Sequence, residues 1–562
     1  MRWNILPKSN SEKTQELSKA LGVDNTIANL LFQRGITTFD EAKYFFRPSL
    51  KDLHDPYLME DMLVAVERIE KAIENKENIL VYGDYDVDGT TSVALMSSYL
   101  RTYYPNIATY IPDRYEEGYG VSYKGIDFAA DNNFSLIIAL DCGVKAIDKV
   151  AYASEKNIDF IICDHHRPGP ELPKAIAVLD PKREDCAYPY KELCGCGVGF
   201  KLIQALGARR GQTIDDLLLY LDLVATAIGA DIVPITGENR ILAYYGLKVI
   251  NSNPRTGYKA ILKQIKKEVL TITDVVFIIG PRINAAGRMK HGNHAVTLLV
   301  ETDINKAAIW AAEIEQFNLD RREADKRITK EALAQIKTNK EEERKTTVVY
   351  QKDWHKGVIG IVASRLTETY YRPTLVFTKS GDKLAASARS VIGFDVYNAL
   401  QECSEFITQF GGHKYAAGLT LEEKNFENFK NKFEEVVSRT IDPKLLQPEL
   451  SVTMEIELAD ITPKFYRILK QFAPFGPGNP SPVFMTQNLS ETGYGKCVGE
   501  DKTHLRITVK QGMSQYVCIG FGLGDKKAIA CSGRPFKAAY VIDENEWQGN
   551  VSLQLRLKDI KA

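Results

Sequence analysis

The sequence predicts an α/β protein of three to four domains that finishes in a small all-β unit, and three observations carry that prediction. The chain has 562 residues, 44% of them hydrophobic and 10% aromatic, enough for several buried cores at roughly 150 residues per domain. From residue 76 to about 250, apolar β-rich runs alternate with longer helical stretches, the pattern of a mainly parallel sheet buried on both faces. After Pro443 and Pro448 the texture changes to short strands of alternating polarity.

Taken in order, residues 1 to about 75 are mixed and polar with short helical patterns, and 1–45 read as a helical N-terminal segment. The strands of the α/β part are the apolar runs at Ile79–Tyr82, Leu136–Leu140, Phe160–Cys163 and Ala175–Leu179. Residues 301–346 contain neither Gly nor Pro. There Trp310, Ile314, Phe317, Ala324, Ile328, Ala332 and Ile336 recur mostly at three- and four-residue steps, which predicts one helix on the order of 60 Å long. Its apolar stripe is thin, so a rigid connector between domains is favoured over a dimeric coiled coil. A second α/β segment follows from Thr347 to about Asp442. Runs such as Leu505–Val509 and Val551–Leu555 then predict a small β-barrel or sandwich.

Charge and cysteine usage narrow the class. With 72 Lys plus Arg against 73 Asp plus Glu, net charge is −1, so any surface for a polyanion must be local. Nine cysteines are too few for a disulfide scaffold. The one close pair is Cys194-x-Cys196, without zinc-finger spacing, so reduced thiols are expected. The opening MRWNILPKSNSEKTQ has no apolar leader, and no run approaches the ~20 residues of a membrane span. A cytoplasmic, soluble protein with no membrane partner is expected.

The strongest chemical signal is Asp84-Tyr85-Asp86-Val87-Asp88-Gly89. Three alternating carboxylates before a glycine resemble a calcium loop, but the twelfth position is Leu95 rather than a bidentate Glu, and a strand precedes it. The next strands end in Asp141-Cys142-Gly143 and Asp164-His165-His166, and Asp231 ends the stretch from Ala225. Side chains at the carboxyl ends of adjacent parallel strands converge on one crevice. Carboxylates with one or two imidazoles suit Mg²⁺ or Mn²⁺.

These motifs, in this order and with Gly229-Ala230-Asp231, resemble the DHH phosphoesterase superfamily. Arg282–Arg288, Trp354–Gly360, Ser387–Ser390, Gly411–Gly418 and Phe475–Pro480 are similar to its RecJ exonuclease branch, from about residue 46 onward. The resemblance implies a DHH-type parallel-sheet domain (46–300), a connecting helix (301–346), a second α/β, DHH-associated domain (347–446) and a C-terminal all-β OB-fold domain (447–562). It implies two divalent ions, Mn²⁺ or Mg²⁺, on Asp86, Asp88, Asp141, His165 and Asp231, with Asp88 and Asp141 bridging. Asp164 then orients an imidazole, and His166 is placed for phosphate. Tyr82 stands where many relatives carry a histidine, which weakens the first metal site unless Asp84 compensates.

Two ions lower the pKa of a bound water and stabilise charge during in-line displacement, so no nucleophilic side chain is needed. By the same resemblance Arg114, Ser387 and Arg389 capture a 5′-phosphate, and Arg288 and His413 hold phosphates near the cut. A guanidinium fork with a hydroxyl suits a terminal phosphate. In the last domain Lys496, Lys502, Arg506 and Lys510 are candidate phosphate contacts, with Glu500 and Asp501 among them. Tyr494, Tyr516, Phe521 and Trp547 are candidates for base stacking, against the plainer reading of core aromatics.

The expected activity is a 5′→3′ exonuclease releasing mononucleotides from single-stranded DNA in recombination and repair. One alternative is a DHH phosphodiesterase for short oligonucleotides; such chains are usually shorter and lack the long helix and β-domain. Another is a non-catalytic single-strand-binding scaffold, against which the intact acids count. Single-strand-binding protein and a RecQ-type helicase are partners implied by resemblance alone, as is a monomer.

Overall fold

The computed structural model describes residues 1–7, 11–547 and 549–562. Five parallel strands lie in the order Ile107–Tyr110, Asn78–Gly83, Phe134–Leu140, Asp159–Cys163, Ala177–Leu179. The continuous apolar runs have a simple cause. Ile79, Val81, Ile138, Leu140 and Ile161 enter one core, while Leu80, Tyr82, Ile137, Ala139 and Ile162 enter the core on the other face. Neither face can carry polar residues. Register is also level: Gly83 pairs with Leu140, Leu140 with Cys163, and Cys163 with Leu179. The next residue of each strand is Asp84, Asp141, Asp164 or Asp180, so four aspartates form one row along the carboxyl edge.

The long helix is shorter than its Gly/Pro-free stretch, spanning Ile304–Thr338 rather than 301–346. Asp303 stops it at the start by accepting from the amides of Asn305 and Lys306. At the other end Lys340 takes a left-handed φ of 55°, and the Arg372 guanidinium gathers the carbonyls of Glu341, Glu342 and Arg344 into a turn. Nor is the helix a free strut. Ala307, Ala311, Ile314 and Phe317 belong to the first domain's core, and Ile328, Ala332 and Ile336 to a core with Trp354, Val358 and Val362. One stripe thus joins two domains rigidly.

The second sheet runs Gln409–His413, Ala416–Leu421, Lys383–Arg389, Thr374–Ser380, Thr347–Tyr350. The C-terminal sheet runs from Met454–Glu455 to Lys496–Val498, and pairing of Phe484–Glu491 with both Phe536–Trp547 and His504–Gln511 closes it as a small barrel. The N-terminal segment folds onto this barrel. Its strand Arg2–Ile5 pairs with Glu449–Val452, and Ile27, Leu30, Leu31 and Phe45 share one core with Phe465, Leu469 and Phe472. A two-turn helix with so many apolar residues needs cover, and the barrel's helix Pro463–Lys470 supplies it. Arg240 ties this unit to the first domain through the carbonyls of Phe45, Phe472 and Gln471. Among the described residues no helix is long and apolar enough to cross a membrane.

Candidate active site

The turn after the first strand brings its acids in at the start of helix Val87–Arg101. Gly89 is required there, because a Cβ would lie 2.3 Å from the Asp84 carbonyl oxygen. Asp88 is held by two amides of another helix start: Gly195 N–H donates to Oδ2 and Cys196 N–H to Oδ1, both at 2.7 Å. Amides at helix starts favour a carboxylate. Asp141 follows strand Phe134–Leu140 in a left-handed conformation, φ 60°, which Asp tolerates better than most residues. Asp231 caps helix Leu221–Ala230, and Ile232 beyond it is left-handed too, a strained state for a β-branched residue.

These elements converge on one imidazole. His165 Nε2 lies 3.2 Å from Asp141 Oδ1, 3.5 Å from Asp231 Oδ2 and 3.9 Å from Asp88 Oδ2. Two donor groups close enough to share an ion result: Asp88–His165–Asp231 and Asp141–His165–His166. Burial, then mutual repulsion, raises the carboxyl pKa of Asp88, Asp141 and Asp231. Burial, then the charge of His166, lowers His165 to about 3, leaving a neutral imidazole. Asp141 Oδ1 and both His165 ring nitrogens are buried without a hydrogen-bond partner. Repelling carboxylates with an unpartnered neutral nitrogen fit a divalent cation.

Asp164 stands behind them. It accepts from the amides of Val144, His165 and His166, and its Oδ1 lies 2.7 Å from His166 Nδ1. Burial opposes both charges, yet this pairing brings Asp164 to about 2 and His166 up to about 9. Asp164 thus favours the charged form of His166 while no cation is bound, and Tyr119 Oη lies 3.1 Å from its Nε2.

Across a hollow of about 230 Å³ from Asp86, Asp88 and Asp231 lie Arg114, Asn284 and Arg288. Arg288 falls to about 9, through burial first and then the positive charges of Arg114, Arg321 and Arg389. Arg288 donates to the Gly357 carbonyl at 2.9 Å, so the second domain docks here. Ser387 and Arg389 hydrogen-bond at 3.0 Å on the strand behind. Four guanidiniums crowd together, and the Nε atoms of Arg114 and Arg321 are buried without partners. Such a cluster is relieved by an anion.

Known families match in the same order along the chain. The DHH family N-terminal domain matches residues 78–228, the DHHA1 domain 343–439 and the RecJ OB domain 452–559. The single-stranded-DNA-specific exonuclease RecJ of Bacillus subtilis is 36% identical over 563 residues, covering 100% of this chain and 70% of that protein. The chain belongs to the RecJ family. RecJ of Thermus thermophilus in complex with Mn²⁺ superposes with a TM-score of 0.86 at 27% identity, covering 100% of this chain and 79% of that one. The same protein in complex with Mg²⁺ gives 0.79 at 26%, covering 100% and 78%.

Within this RecJ-family chain the expected residues do not all converge. Asp86 lines the hollow but joins neither donor group, and its Oδ1 caps the helix by accepting from Gly89 at 3.0 Å. Asp84 Oδ1 accepts from Gly120 N–H at 3.1 Å, while its Oδ2 is buried without a partner. Tyr82 faces the far core, donating to the Gly120 carbonyl at 2.9 Å. His413 is exposed on the edge strand, facing Ala416, which in turn faces Arg389. In the barrel, Tyr494 and Phe521 are exposed, whereas Tyr516 packs on the core; the Trp547 side chain lies outside the described residues.

Four positions escape a reading of the sequence. Gly195 shows there only as the spacer of a cysteine pair, although G-x-G before a helix signals amides facing an anion. Asp180 closes an apolar strand as Asp141 does; it is buried with Oδ2 unpartnered. Asn284 lies inside the Arg282–Arg288 motif. Arg321 looks like one charge among many on a helix, and nothing local distinguishes it.

Proposed function

We propose that this chain is a metal-dependent exonuclease that removes mononucleotides from the 5′ end of single-stranded DNA, in recombination and repair. The observation that carries the reading is one hollow with a carboxylate wall and a guanidinium wall: Asp86, Asp88 and Asp231 face Arg114 and Arg288. A phosphodiester needs both, cations at the cut and donors on its oxygens. Asp88, Asp141, His165 and Asp231 would hold two divalent ions, Mn²⁺ or Mg²⁺, with Asp86 beside them. When bound, the ions supply a water nucleophile at neutral pH and neutralise phosphate charge.

The chain's own groups do the rest. The Gly195 and Cys196 amides aim Asp88 and oppose the burial that raises its carboxyl pKa. Asp164 favours the charged form of His166, whose Nε2–H meets the Tyr119 hydroxyl, and Tyr119 lines the hollow as a donor. Arg114, Ser387 and Arg389 take the terminal 5′-phosphate, and Arg288 the next one. Anchoring the end sets both polarity and product size. Exposed Lys496, Arg506 and Lys510 on the barrel hold the trailing strand.

The same reading assigns 46–300, 347–446 and 447–562 as the three working domains, a monomer in the cytoplasm, and single-strand-binding protein and a RecQ-type helicase as partners. The test is digestion of a 5′-phosphorylated and a 5′-hydroxyl DNA strand with Mn²⁺ or Mg²⁺, with Asp141→Ala as control. Mononucleotides should leave the phosphorylated end first, and not with Asp141→Ala. Cleavage only of dinucleotides or very short oligomers refutes the reading, as does binding without cleavage.

A further inference from the structure

A larger hollow, of about 660 Å³, lies away from the acids, between helices Ile304–Thr338 and Ile359–Tyr370. Its charged lining is Arg322, Lys326, Lys330, Lys337 and Arg365 against one acid, Asp325. Arg365 grips that acid with three contacts of 2.7 to 3.0 Å. Five cations less the one neutralised leave four positive charges, in a chain whose net charge is −1. Beyond Asp325, Glu368 also acts on Arg365.

The plain alternative is a solvated helix face. Elsewhere on the same helix Arg327 is paired with Glu331. Arg322, Lys326, Lys330 and Lys337 form no ion pair among the described residues, and all four are exposed. The first three recur every four residues, which spaces them about 6 Å apart along the axis, and the row to Lys337 runs roughly 22 Å. That is the scale of successive phosphates on an extended strand. The lining has no aromatic ring, so bases are not read. The groove also shares its walls with the anion cluster. Arg321 of the long helix acts on Arg288, and a Cβ on Gly360, in the first turn of the other helix, would stand 2.9 Å from Ser387 Oγ and 3.1 Å from Arg389 Nη2.

We infer that this groove is a second nucleic-acid site, which binds the sugar–phosphate backbone of single-stranded DNA outside the cleft, without regard to sequence. The inference rests on the nuclease reading and adds a surface to it. Its test is binding by the full chain, in chelator, of 5′-phosphorylated strands of about 6 and about 30 nucleotides, the latter longer than the roughly 4–16 that one OB fold covers. Wild type is compared with a Lys326→Gln, Lys330→Gln, Lys337→Gln variant and with Arg389→Ala.

For the long strand, the triple variant should bind more weakly, with a salt slope shallower by about 2, at roughly 0.7 per phosphate neutralised. Between about 50 and 200 mM salt its affinity then falls about 16-fold less than that of wild type. Binding of the short strand should be unchanged in the triple variant and weakened by Arg389→Ala. An unchanged long-strand slope overturns the inference, and so does equal weakening on both strands. Loss of an Asp/Glu-rich peptide instead of DNA overturns it in favour of a protein partner. Wild type that binds neither strand overturns the nuclease reading as well.

Discussion

Replacing Gly195 with alanine is expected to damage the chemistry while leaving the fold intact. The added Cβ would stand 2.6 Å from Asp141 Cβ, 2.7 Å from its Oδ1 and 2.8 Å from its Cα. Ordinary contact begins at 3.4 Å, so helix start and aspartate must part by roughly 0.8 Å, and neither is free to move. The Gly195 amide is bound to Asp88, and the Asp141 amide donates to the Cys163 carbonyl at 2.8 Å. A displacement approaching 1 Å at reacting groups costs about 10²-fold in rate, or about 2.7 kcal/mol of activation free energy. Gly197→Ala is the matched control. Two residues on, its Cβ would meet Leu193 at 3.4 Å, and alanine there should raise helix stability by up to about 1 kcal/mol. Single-turnover cleavage of a 5′-phosphorylated strand across a Mn²⁺ titration, with thermal melting alongside, separates the two. Gly195→Ala within about threefold of wild type, or equal losses in both variants, refutes the claim that this close approach positions Asp141.

Three further outcomes follow from groups already placed. His166, raised to about 9 by Asp164, should titrate near there in imidazole NMR of the metal-free protein. Its contribution to stability is complete below its ordinary 6.5 and lost as pH rises through 9, while that of Asp164 is present above 3.8 and lost as pH falls through 2. Asp164→Asn should return His166 toward 6.5, and a wild-type value already there refutes the pairing. Lys201 and Glu238 form a fully buried ion pair at 3.2 Å, with Tyr188 and the His54 amide also donating to Glu238. Glu238→Gln strands the ammonium and should lower stability by about 3 kcal/mol or more in urea unfolding, whereas Lys201→Met with Glu238→Leu should recover most of it. Inorganic phosphate should stabilise the metal-free protein, by about 2.7 kcal/mol at a hundred times its Kd; an unchanged melting temperature, or the same rise in Arg288→Met, counts against the guanidinium cluster as an anion site.

Much of the fold is legible because burial imposes local patterns. Strands covered on both faces must be apolar throughout, and a helix between two cores must show a stripe. The helix ends are not legible. A run without Gly or Pro permits a helix, but Asp303 and the Arg372 clamp end it, and the clamp comes from over thirty residues away. The N-terminal segment hides its role for a similar reason: its apolar face announces a partner without saying that the partner lies more than 400 residues on.

Of the site, the sequence alone determined the acids and imidazoles and their place at strand ends, since a parallel sheet sends every carboxyl end to one edge. The arginines near Ser387 were legible only through family likeness. Tertiary structure decided which donors meet. It drew Asp86 to a helix cap, kept His413 on an edge strand, turned Tyr82 to the far core, and brought in Gly195, Asp180, Asn284 and Arg321. The physical reason is that ligation and charge act over a few ångströms of space, whereas pattern is read along the chain. Residues 88 and 195, or 288 and 389, become neighbours only once several elements have packed.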